Sequence, residues 1–305
     1  MSVLFYFWSF ILITSISLMG LAIRCLATSG MIFSETLILR GLVCLGLVVV
    51  FARVKKLSLV PKSIGTQTIR ALVAGMALTA FSLSYNWLSA STVAVISNVD
   101  VPMLVILGSL VGQPSSVRAK VLSFISIVFL VLYTLKIQSE PNWILGLGTL
   151  LFGLFLLCFG YAFIKKSMNE ENQGITILTP ALALMAYGLA QKIPDTSVAS
   201  GWNHQALWVG IVSGIGMFGA YYATMKLYAL VDIATAEFPT LLASIVIQPL
   251  EWLIFKEPLQ VSHFILSIAF VACTYFILNN NKVAPKNEAE NDIDSDTNNE
   301  NVVHV

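Results

Sequence analysis

Asp100 and Glu237 each lie well inside a long apolar run, and each stands two residues before a proline, as Asp100-Val101-Pro102 and Glu237-Phe238-Pro239. An ionised side chain at the centre of a bilayer costs about 2.5–3.5 kcal/mol on insertion scales. A proline inside a helix removes one hydrogen bond and frees a carbonyl one turn earlier. Pro102 and Pro239 are therefore expected helix breaks that add polar backbone beside each acid. Carboxyls so placed suit proton acceptance and release, or capture of a cationic or zwitterionic solute. The alternative is a pair of neutral, hydrogen-bonded packing acids, or acids reached by water near a helix end.

A second set of residues could complete such a site. Arg40 lies inside the second apolar run, where its fork of donors could bind a carboxylate or phosphate. It could equally pair with Asp100 or reach lipid headgroups. Glu35 is five residues earlier, an imperfect spacing for a helical ion pair. Tyr85, Asn86, Asn98, Tyr221 and Tyr222 put polar tips and aromatic faces inside other runs. Such faces suit a cavity that holds an organic solute, although aromatic belts at a membrane interface have the same composition.

The elements that must position these residues are membrane helices. Ten apolar stretches follow one another, at approximately 4–26, 32–53, 68–90, 92–112, 119–137, 142–165, 174–192, 205–230, 233–255 and 261–281. A hydrocarbon core about 30 Å thick needs about 20 helical residues to span it. The runs lack period-two alternation and are too long for barrel strands, so the class is an all-α membrane protein. The seventh is interrupted by Pro180; the third and fourth, and the eighth and ninth, are joined tightly enough to be antiparallel hairpins. Met1–Phe5 carries no basic segment, so the first run is expected to be a retained span rather than a cleaved signal.

With ten spans, both termini share one side. Placing them in the cytoplasm puts most of the basic residues inside, among them Arg53, Lys55, Lys56, Lys62, Arg118 and Lys120. Only Arg24, Lys136, Lys192 and Lys256 are then left outside, a positive-inside bias. Residues 283–305 are acidic, rich in asparagine and without an aromatic residue. They are expected to be a disordered cytoplasmic tail.

The two halves echo one another. The acid–proline pairs are one echo. Gln113-Pro114 and Glu257-Pro258 are a second, and Gly75-Met76 and Gly216-Met217 a third, in the same order and at similar offsets. A five-helix unit used twice, residues 1–137 and then 138–282, must be inserted upside down the second time because five is odd. Inverted repeats of this kind place a binding site near the midplane.

Composition excludes several function classes. Of the residues, 57% are hydrophobic and 11% charged, against about a quarter charged in a soluble chain. A formal net charge of +1 and the absence of a basic stripe give no footprint for nucleic acid. The four cysteines and three histidines show no metal-ligand spacing, and no phosphate-cradling glycine loop or nucleophile–base pattern occurs. Neither a cofactor, nor a metal, nor an enzyme activity is expected. Gly210 and Gly214 have the small-xxx-small spacing of packed membrane helices, which serves internal packing or a homodimer.

The chain resembles the drug/metabolite transporter superfamily, specifically its EamA-type ten-helix members. The residues that carry the likeness are Phe33-Ser34-Glu35 with Arg40, Arg70 opening the third span, Ser89-Ala90-Ser91-Thr92, Tyr228-Ala229-Leu230-Val231-Asp232 and Phe255-Lys256-Glu257-Pro258-Leu259. Gln113 departs from the family pattern, which commonly has an acid there. The resemblance implies two inverted five-helix repeats around a central cavity, working by alternating access. The expected function is secondary transport of a small organic metabolite, zwitterionic in the manner of an amino acid or nucleoside-type. It is expected to be coupled to protons or run as exchange, in the inner (cytoplasmic) membrane, by a monomer or homodimer. An exporter of the same fold or a non-transporting membrane scaffold remains the alternative.

Overall fold

The computed structural model describes residues 2–29, 31–107, 115–134, 142–192, 204–256 and 261–280. The Gln113/Glu257 echo, Lys136 and the acidic tail fall outside them. Eleven helices follow in order. They are α1 (Val3–Thr28), α2 (Phe33–Lys55), α3 (Ile64–Ser84), α4 (Ala90–Ser97), α5 (Asp100–Leu107), α6 (Val117–Thr134), α7 (Trp143–Glu170), α8 (Gln173–Lys192), α9 (His204–Tyr228), α10 (Ile233–Phe255) and α11 (Val261–Asn280). Among the described residues eight helices, with α4 and α5 taken as one, are long and apolar enough to span a bilayer. α11 holds a shorter apolar helix, Phe264–Asn279. The protein is an all-helical, multi-pass membrane protein.

Its surface is inverted relative to a water-soluble bundle. Phe10, Leu253 and Phe276 are each about two-thirds exposed (66%, 67% and 64%), whereas Arg40, Arg70, Glu35 and Glu237 are buried. Lipid solvates the first group, and polar neighbours must satisfy the second.

Helix ends follow the sequence. Ser89 caps α4 by accepting from the Thr92 amide at 3.2 Å, and Asp232 caps α10 by accepting from the Thr235 amide at 3.0 Å. These two caps close the short α3–α4 and α9–α10 hairpins. The fourth span is broken: α4 ends at Ser97 and α5 begins at Asp100. Asn98 and Val99 donate to carbonyls three residues back, which tightens the last turn of α4. Pro102 then falls in the first turn of α5, where its missing N–H costs nothing. The expected break at Pro239 is different. α10 runs unbroken through both Pro239 and Pro249, because a proline withdraws a single ladder bond and packed neighbours support the rest. α8 likewise continues through Pro180.

The helices pack as antiparallel pairs: α1 on α9, α3 on α7 and α2 on α8, with α10 against α4, α1 and α11. Glycines set the closest approaches. Gly210 and Gly214 face Leu39 and Val43 of α2, so this small-xxx-small pair is an internal surface. Gly153 faces the α3 backbone at Ala77 and Phe81, and Gly216 faces the α1 backbone, where an added Cβ would sit 2.8 Å from the Ser15 carbonyl. Gly148 has nothing within 4 Å of such a Cβ. Overpacking a tight contact costs about 1–3 kcal/mol. Gly216→Ala should therefore lower the thermal midpoint of the detergent-purified protein by several degrees, while Gly148→Ala leaves it unchanged; dye-reported unfolding curves measure both.

Candidate functional site

Within the bundle, α1, α3, α4, α5, α7, α9 and α10 line a partly open cavity of about 130 Å³. Its walls are mostly apolar, with Ile16, Met19, Phe81 and Met217 among them. Into this apolar space come both acids singled out in the sequence, Asp100 from the start of α5 and Glu237 from α10. They are joined by Asn98, Tyr85 and Tyr221.

Each acid is held by neighbours. The Val101 amide donates to the Asp100 carboxylate at 2.6 Å, and the Thr240 hydroxyl is also a hydrogen-bond partner of Asp100. Tyr228 donates its phenolic proton to Glu237 at 2.5 Å. Asn98 sits in the helix break, where its amide donates to the Ser244 hydroxyl at 3.0 Å, which in turn donates to the Leu241 carbonyl. That chain ties the broken span to α10. The cavity is thus lined by two carboxyls, an amide, two phenols, the hydroxyl residues Ser97, Thr224, Thr240 and Ser244, and hydrocarbon. In volume it is close to an engineered apolar cavity of about 150 Å³ that accepts benzene. One ring or one branched aliphatic chain fits it.

Three other sequence candidates lie elsewhere. Asn86 is exposed, in the turn after α3. Tyr222 belongs to an aromatic cluster, stacked on Phe218 and edge-on to Trp8 and Phe51, with the Lys226 ammonium 5.2 Å from its ring centre. Arg40 is fully buried but is not on the cavity wall; it donates to the Ser82 hydroxyl at 2.6 Å. It pairs with neither Asp100 nor Glu35, because Glu35 binds Lys192 at 2.9 Å across α2 and α8. Pro102 and Pro239 flank the acids without lining the cavity.

Three further polar arrangements hold the surroundings together. Pro180 leaves the carbonyl of Thr176 without its ladder partner, and the buried Arg70 donates to that carbonyl and, at 3.3 Å, to Gln67. Glu171 accepts from the amides of Lys62 and Ser63 at 2.6 and 2.9 Å, just ahead of α3. Glu251, near the end of α10, accepts from the amides of Ala90 and Ser91 at 2.6 and 2.7 Å, at the start of α4. A carboxylate at a helix N-terminus satisfies orphan donors and complements the dipole.

Sequence reasoning missed Thr240, Ser244, Ser97 and Thr224 as cavity residues. A signal for two of them was present. Glu237, Thr240, Ser244, Gln248 and Glu251 recur at steps of three and four, one polar stripe along an otherwise apolar α10.

No protein-family model matches the chain, and no curated protein matches it. A solved structure described only as "Crystal structure of protein" is similar in fold, with a TM-score of 0.61 over 87% of this chain and 96% of that one, at 13% identity. At such identity the likeness shows the fold alone.

The Glu251 contact yields a stability prediction. Leaving buried amides without an acceptor costs about 1–3 kcal/mol. Glu251→Ala should lower the thermal midpoint by several degrees, and Glu251→Gln, which keeps one acceptor oxygen, by clearly less. Equal midpoints for wild type and Glu251→Ala would remove the contact from any stabilising role.

Proposed function

We propose that this protein is a secondary transporter that moves a small organic solute across the cell's inner (cytoplasmic) membrane by alternating access, with proton coupling or exchange. The observation that carries this reading is the meeting of Asp100 and Glu237 in one largely apolar cavity. Scaffolding alone gives no reason to hold two carboxyls there, because each must be desolvated. A proton-linked solute site does, since each acid can exchange its charge for a proton or a solute cation.

Ten spans in two inverted five-helix repeats complete the reading, with α4 and α5 together as the fourth span. The packing supports it. Counted within each half, the first helix of one half lies antiparallel on the third helix of the other, as α1 on α9 and α7 on α3. The second helices, α2 and α8, pair with each other, tied at one end by Glu35 with Lys192 and at the other by Asn172 donating to the Ser58 carbonyl at 2.6 Å. Exchanging the halves about a twofold axis maps this set of contacts onto itself. The same exchange relates Ser89 to Asp232, the caps of the fourth helix in each half. Two halves of one design give two oppositely open states of similar energy, and the likeness to drug/metabolite transporters is in keeping with them. Both termini are placed in the cytoplasm on the distribution of lysine and arginine.

Proteoliposomes loaded with buffer and given a pH gradient test the proposal with a panel of radiolabelled amino acids and nucleosides. Wild type should accumulate at least one of them against its gradient. Asp100→Asn and Glu237→Gln should reduce that accumulation to the level of empty liposomes while expressing normally. Undiminished, gradient-driven accumulation by both variants would disprove coupling through these acids.

A further inference from the structure

Arg40 is a buried charge that the transport site, as described, does not use. It is 1% exposed, on α2. Its hydrogen bond is one bond, from Nη1 to the Ser82 hydroxyl, and its Nε has no partner. A guanidinium out of water normally has a carboxylate opposite it. Among the described residues the buried acids are Glu35, Asp100, Glu171, Glu237 and Glu251. Each is engaged elsewhere, by Lys192, by the Val101 amide, by the amides ahead of α3, by Tyr228 and by the amides opening α4, respectively. The described residues therefore hold a desolvated cation and give it no counter-charge.

Its position says what supplies one. The ionisable groups that bear on Arg40 are Tyr85, Tyr221 and Cys44, and both tyrosines line the cavity. Ser82, which receives the Arg40 proton, donates to the carbonyl of Leu78, another cavity residue. The guanidinium is thus tied through Ser82 to the stretch of α3 that carries Leu78 and Phe81 of the cavity lining. Asp100 and Glu237 line the same space.

We propose that the solute carries a carboxylate and that Arg40 is its counter-charge, the residue that makes the cavity select carboxylated solutes. This rests on the transport reading and names its substrate class: a small carboxylate with an apolar body of one ring or one branched chain, of the amino-acid type when an amino group faces Asp100 and Glu237. The anion either draws the Arg40 side chain between Tyr85 and Tyr221 or is held through their hydroxyls. In both cases the arginine acts as a specificity-determining residue.

The experiment is thermal stabilisation of the full-length protein in detergent by three probes with one carbon skeleton. Leucine carries both charges, 4-methylpentanoate the carboxylate alone and isopentylamine the amine alone. Wild type should be stabilised by leucine and 4-methylpentanoate, and by isopentylamine clearly less than by either, a comparison that needs no variant to fold. Arg40→Gln should weaken the response to both carboxylates by about tenfold or more, the scale of a charge-assisted hydrogen bond. Arg40→Lys, which keeps the charge and loses the fork, should retain part of it. Equal stabilisation by isopentylamine, or an Arg40→Gln response equal to wild type, overturns the assignment and leaves transport standing. No response of wild type to any probe also overturns it, and only if the uptake panel is silent too does the transport reading fall with it.

Discussion

A charge inside this bundle has neither water nor lipid to solvate it, so the packing of the helices is organised around partners for a few buried ions. Glu171 and Glu251 each take the backbone amides that open a helix. Arg70 takes the carbonyl that Pro180 releases, and Glu35 takes Lys192. Each contact joins elements far apart in sequence, and each repairs a backbone defect or a lone charge that low-dielectric surroundings would otherwise penalise by several kcal/mol. Asp100, Glu237 and Arg40 stand apart from these structural pairs. The first two open onto the cavity, and the third is buried on α2 with an unfilled donor.

Close helix approach makes that arrangement possible. In a membrane the apolar surfaces gain nothing from leaving lipid for one another, so packing rests on contact and on backbones coming near. The glycines of α9 let it lie against α1 and α2 together, and Gly153 lets α7 meet α3. These seams surround the cavity without filling it. The break at Asn98 and Val99 gives the site its polar backbone on one side, whereas α10 supplies side chains from an intact helix on the other. The two acids differ in support: one is held by its own helix start, the other by a tyrosine.

Much of this was legible in the sequence, for physical reasons that can be named. Runs near the length of a bilayer have few alternatives, so the helical membrane class and the short hairpins at Ser89 and Asp232 follow from length and capping residues. Acids in apolar runs are costly enough to draw attention, and Asp100 and Glu237 do meet. Tyr85, Asn98 and Tyr221 accompany them. Tyr222 does not, because neighbouring residues on a helix point about 100° apart, and its turn carries it into the Phe218–Trp8–Phe51 cluster. Asn86 lies past the end of α3, where a boundary shifted by a turn separates a buried amide from an exposed one. The expected break at Pro239 is absent because loss of one backbone bond does not by itself stop a helix that packs on several neighbours. Pairings such as Glu251 with the start of α4 join residues far apart in the chain, and no local pattern announces them.

Access to the cavity is where the proposal is most exposed. Single cysteines at Ser97 and Ala220, both on the cavity wall, can be introduced in place of the four native ones and treated in sealed vesicles with a membrane-impermeant maleimide from one face at a time. A proton-linked, alternating cavity predicts that both positions react from the same face, and that this face switches when the pH gradient is reversed. Reaction from both faces at once, or from neither under any gradient, would contradict it.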